Sequence, residues 1–158
     1  MGVVVGSTNV LEATPTITAG AYTSGDLVGG KITLTGIVVD PLTRPSGIIH
    51  SVVITDKGKQ SADYDVVFFD TDPENTTFTD NGVFAPDDAD LVNIVGGSQV
   101  TTHLAFNDNG VSIAQGTNIP FRITSADTNA IYAALVVRGT PTYTSTSDIT
   151  LKVTVLQD

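Results

Sequence analysis

His50 and His103 are the only side chains in the sequence whose ordinary charge change falls near neutral pH, so either could serve as a general base. A nucleophilic triad built on one of them needs an activated Ser or Thr and a carboxylate behind the ring. Neither histidine has a recognisable nucleophile beside it, and no Gly-x-Ser-x-Gly elbow occurs. Both read as packed or surface residues of strands. Asp70, Asp72 and Glu74 alternate with other residues and would share a face at a strand end, where they could converge on a cation. An EF-hand needs Gly at its sixth position and a distal Glu, and both are missing. The bland reading is a solvated strand exit, and no metal is assigned. Gly25-Asp26-Leu27-Val28-Gly29-Gly30-Lys31 matches seven positions of a phosphate-binding loop, but Ile32 stands where Ser or Thr should hold magnesium. Lys31 opens an alternating strand and no helix, so the segment reads as a glycine-rich turn. No cofactor is called for, and the chain is read as a non-enzyme.

Composition narrows the elements that could position a site. The 158 residues include 17 Asp+Glu against 7 Lys+Arg, giving a formal charge of −10, which argues against a nucleic-acid partner. Zero Cys excludes disulfide frameworks, Cys-ligated zinc and thiol nucleophiles. The start, Met1-Gly2-Val3-Val4-Val5-Gly6, lacks a basic region and a long apolar run. No stretch has the roughly 18 apolar residues of a span. A soluble protein made without export, with no membrane partner, is expected. Asn75-Thr76-Thr77 is a glycosylation triplet, but a chain without an export signal does not meet the enzyme.

Thr and Val dominate, and both suit a pleated surface. Ile149, Leu151, Val153 and Val155 share one face of a period-two run; residues 31–35 and 119–124 alternate similarly. Residues 48–54, 66–69 and 131–137 are apolar on both faces, as covered or central strands are. Turn residues punctuate these runs at Asp56-Lys57-Gly58-Lys59, Asp80-Asn81-Gly82 and Asn107-Asp108-Asn109-Gly110. Pro86-Asp87-Asp88-Ala89-Asp90-Leu91 carries the one helix signal, worth one or two turns. The expected fold is all-β: an antiparallel two-sheet sandwich of about eight strands, jelly-roll-like or immunoglobulin-like, with at most one short helix. Residues 131–138 and 149–156 are expected to pair across the loop 139–148. A single domain is expected over residues 10–158, preceded by an N-terminal arm over residues 1–9. There Val3, Val4 and Val5 could add as a strand to a neighbouring subunit.

Three groups of segments carry a likeness. The first is Ser51-Val52-Val53-Ile54-Thr55-Asp56-Lys57-Gly58-Lys59-Gln60 followed by Asp65-Val66-Val67-Phe68-Phe69-Asp70. The second is Thr77-Phe78-Thr79-Asp80-Asn81 with Asp87-Asp88-Ala89-Asp90-Leu91. The third is Ile131-Tyr132-Ala133-Ala134-Leu135-Val136-Val137-Arg138-Gly139-Thr140-Pro141-Thr142-Tyr143, then Ser147-Asp148-Ile149-Thr150-Leu151 and Leu156-Gln157-Asp158. From about Ser46 onward this resembles small virion proteins of tailed bacteriophages, and within the virion the capsid decoration or cement proteins. The resemblance implies a structural protein on the capsid surface that stabilises the head shell. It also implies the major capsid protein as partner and a homotrimer as the assembly. Strands apolar on both faces, which one domain need not cover alone, add to the expectation of a homo-oligomer. The alternatives are another virion component, such as a tail, adaptor or fibre-base module, and a carbohydrate- or ligand-binding β-sandwich. With six Phe, four Tyr and no Trp, the sugar-binding alternative lacks the aromatic residue it would favour.

Overall fold

Alternating β-branched residues form nine strands in the computed structural model, which describes residues 6–38, 45–123 and 129–157. They are β1 (Ser7–Ala13), β2 (Leu27–Thr35), β3 (Ser46–Asp56), β4 (Tyr64–Phe69), β5 (Ile94–Val100), β6 (Thr102–Ala105), β7 (Gly110–Arg122), β8 (Ala130–Val137) and β9 (Ile149–Gln157). A five-stranded sheet has the order β1-β9-β3-β7-β6, and a four-stranded sheet β2-β8-β4-β5. Pairing is antiparallel and nested: β1 with β9, β2 with β8, β3 with β7, and β4 with β5. That nesting, with β6 added beside β7, is the jelly-roll order and not the immunoglobulin one. Leu34, Ile49, Val52, Tyr64, Phe68, Leu135 and Val153 are all fully buried between the sheets.

Nesting corrects one expected pairing. β8 and β9 do not pair; they lie in opposite sheets, β8 between β2 and β4 and β9 between β1 and β3. Their burial patterns give the reason. β9 alternates buried and half-buried residues, as a strand with one solvent face does, while β8 is buried on both faces. The connection 138–148 therefore crosses the end of the sandwich. It is held there by Tyr22 N donating to Pro141 O (2.9 Å) and Tyr143 N to Gly20 O (3.0 Å). The hydroxyls of Tyr64 and Tyr143 hydrogen-bond to each other beneath it.

What covers the outer face of β8 is the chain itself. Residues 70–93, between β4 and β5, fold back over the four-stranded sheet. Phe78 and Phe84 pack there on Leu27, Phe69, Ala134 and Val136. β8, apolar on both faces, thus needs no second subunit to cover it, whereas the outer face of residues 48–54 in β3 is left open, with Ile48 exposed. The helix signal in this excursion yields turns and a single 3₁₀ turn, Leu91–Asn93. Asp87 bonds back to Ala89 N (2.8 Å), and the Asp90 carboxylate takes Thr76 Oγ1 (2.7 Å) and Asn75 N (3.0 Å). Local side-chain bonds of this kind compete with helix formation.

The start of the chain corrects a boundary. Ser7, Thr8 and Asn9 pair with Gln157, Leu156 and Val155, so the sandwich begins at Ser7 and not after residue 9. Val3, Val4 and Val5 lie outside the described residues. Of the glycines of residues 25–31, Gly25 lies in the turn before β2, and Gly29 and Gly30 stand within β2 as a bulge, where the register shifts between Leu27 and Lys31.

At the far end of β3, Asp56 is buried and caps the next loop, its Oδ2 accepting from Gln60 N (2.6 Å) and Ser61 N (3.3 Å). Burial, opposed by these hydrogen bonds, pushes its carboxyl above the usual carboxylate range. The folded state therefore holds this proton more tightly than the unfolded chain. The group's contribution is complete below the unfolded value of 3.8 and is lost as pH rises through the folded value. Asp56→Asn is expected to flatten that fall; urea midpoints taken stepwise from about pH 4 upward check it.

Candidate functional site

Across the hairpin that joins β6 to β7, Ala105 pairs with Gly110, which sets His103 directly opposite Ser112. His103 Nδ1 lies 2.7 Å from Ser112 Oγ, and its Nε2 lies 2.8 Å from Oδ1 of Asp63, the residue before β4. An ionised Asp63 accepts from Nε2–H, so in the neutral ring Nδ1 accepts the Ser112 hydroxyl proton. Carboxylate, imidazole and hydroxyl are thus in line, the constellation of a nucleophilic triad. Its accessibility is wrong for that chemistry. Ser112 is 2% exposed and its hydroxyl points between the sheets, so no acyl carbon can reach it. The cluster is a clasp, joining the five-stranded sheet to the start of β4. Ser112→Ala is expected to cost about 1–2 kcal/mol of stability, read from the urea midpoint, with ester turnover at background in both proteins.

Beside the clasp is an open cavity of about 410 Å³, lined by Gln60, Asp63, His103, Arg138, Thr140 and Pro141 among others. Two of its polar groups are engaged with protein: Arg138 Nε donates to Asp65 Oδ2 (2.7 Å), and Gln60 Oε1 accepts from Thr142 N (3.0 Å).

The other residues singled out by sequence are dispersed. His50 is exposed at the bulge that separates Ile49 from Ser51 in β3. Lys31 forms an ion pair with Asp72 (2.5 Å), which takes Asp72 away from Asp70 and Glu74. Burial pushes the Asp70 carboxyl up, against a hydrogen bond from Thr71 Oγ1. Among the described residues no three His, Asp or Glu side chains are placed to hold a metal ion.

Among the described residues, the outward face of the five-stranded sheet carries no element packed against it. Registers align it in rows. Thr8, Leu156, Ile48 and Pro120 form the first; Val10, Thr154, Ser51 and Gln115 the second. Glu12, Lys152, Val53, Ile113 and Thr102 form the third. Thr150, Thr55, Val111 and Leu104 form the fourth. Val10, Ile48, Leu104 and Leu156 are 58%, 42%, 49% and 38% exposed, so this apolar surface faces solvent and not the core. Sequence reading found the alternation that creates the face. It missed how little charge five neighbouring strands would bring together, because that depends on long-range register.

Compared with known proteins, the chain matches no family model and no curated protein. Among the described residues no helix is long and apolar enough to cross a membrane.

Proposed function

We propose that this chain is a structural virion protein of a tailed bacteriophage, a capsid decoration or cement protein that binds and braces the head shell. The observation that carries the reading is a broad sheet face, β-branched and nearly uncharged, on a chain of formal charge −10. Interface centres are depleted of charge in this way. The sequence likeness from about Ser46 onward supports the phage assignment. Jelly rolls serve capsids and lectins alike, so the fold by itself does not choose.

In this reading the partner is the major capsid protein and the site of action is the capsid surface. The trimer rests on the resemblance, since the excursion 70–93 already covers β8. Mass spectrometry of virions separated into heads and tails tests the location. The chain is expected in the head fraction, in proportion to shell subunits; recovery with tails would move it to a tail or adaptor role. The ligand-binding alternative has one observation of its own, the polar cavity at His103 and Arg138. A rise in melting temperature with added glycans or calcium, and none on shells, would favour it.

A further inference from the structure

We propose that the outward face of the five-stranded sheet is the surface that docks on the shell. Its partner there is a flat, apolar protein surface without a cluster of basic groups. This inference rests on the decoration reading above. The first argument is the segregation of charge. Of the fourteen acidic residues among the described ones, only Glu12 lies on this face, 3.7 Å from Lys152, with Arg122 at the rim. Half of the fourteen lie in residues 70–90, in the excursion on the opposite side of the sandwich. A basic partner would be drawn to that acidic side. The sheet face suits a partner with little charge, and docking through it leaves the carboxylates in water, where they are best solvated.

The second argument is size. Five strands about 4.8 Å apart and about nine residues long, at ~3.3 Å each, make a face near 700 Å², close to the ~800 Å² per partner of a stable interface. At one end Ser46, Gly47, Ile48, Pro120, Phe121 and Leu156 line an open groove of about 440 Å³. An aliphatic or aromatic side chain of the partner fits there, the kind of anchor that dominates such interfaces.

The test uses the full chain and shells assembled from the major capsid protein without it, with bound protein measured by co-sedimentation. Val53→Glu/Ile113→Glu places two carboxylates on cross-strand neighbours at the centre of the face. Thr154→Arg is a milder second variant on a half-buried polar position, and Val92→Glu, at an 85% exposed residue of the excursion, is the control. Circular dichroism melts show which variants fold. The wild type and Val92→Glu should bind alike, while the double variant loses about 100-fold and Thr154→Arg about 10-fold in affinity. Wild-type binding should change less than about threefold between ~0.05 and ~0.5 M salt, because few charges are screened at the contact. Equal binding by folded face variants overturns this inference and leaves the decoration reading standing. So does a loss confined to Val92→Glu, or face variants that abolish a dimer while still binding shells. A wild type that does not bind at all overturns both.

Discussion

Replacing Asp80 with alanine is expected to lower the unfolding free energy by about 3–4 kcal/mol, less than three hydrogen bonds to a charged group at ~1.5–3 kcal/mol each would sum to, because the side chain is half-buried and water takes over part of their role. Its carboxylate accepts from Thr18 Oγ1 (2.6 Å), Tyr22 Oη (2.8 Å) and Gly29 N (2.6 Å). These donors belong to the segment before β2 and to the bulge within it, so one side chain of the excursion fixes both. Tyr22 is 2% exposed; burial and the Asp80 hydrogen bond push its phenol well above the usual range. Without Asp80 that hydroxyl is left buried with its main acceptor gone. The backbone cannot move to find another. Gly29 has φ +84°, and even a Cβ there would stand 2.3 Å from Pro15 Cβ. Asp80→Asn, which keeps an acceptor, should lose about half as much. Urea unfolding at unchanged slope is the measurement; a loss below about 1 kcal/mol would show that water replaces the carboxylate without strain.

The double variant Phe78→Ala/Phe84→Ala is expected to lose about 3–5 kcal/mol, below the sum of two fully buried Phe→Ala changes because both rings are half-buried. The rings lie 5.9 Å apart, and Phe78 meets Phe69 edge-on at 6.3 Å. Together they cover the outward residues Ala134 and Val136 of β8. Removing them exposes an apolar strip on the four-stranded sheet, so binding of a hydrophobic dye should rise in the folded variant. If stability and dye binding both stay at wild-type levels, the cover of β8 comes from another subunit, and the oligomer regains its structural argument.

These two residues also show where sequence reading reached its limit. The double-sided apolar run of residues 131–137 correctly marked a covered strand, but periodicity carries no information on what covers it. Pairing β8 with β9 failed for the same reason. Short connections favour adjacent strands, yet the nested order pairs β1 with β9 and β2 with β8, so the consecutive strands β8 and β9 fall in opposite sheets. Asp80 was legible as a turn former, and Asn81 does take φ +57° there, while its three distant donors were not. In the loop after β3 the left-handed residues are Lys59 and Ser61 and not Gly58. Gly58 is small for another reason: a Cβ there would press on Tyr143 at 3.2 Å. The His103–Ser112 pair was open to counting back from the turn at Asn107-Asp108-Asn109-Gly110. Asp63, forty residues away, was not.

The central claim is that this protein braces a phage head. The most direct measurement is the rupture temperature of shells lacking it, recorded as purified protein is added back. Saturable binding at a fixed ratio to shell subunits is expected, with a rise of several degrees in rupture temperature at saturation, as any ligand of the intact state alone must give. Protein that stays in the supernatant at every concentration, with rupture unchanged, would contradict that claim.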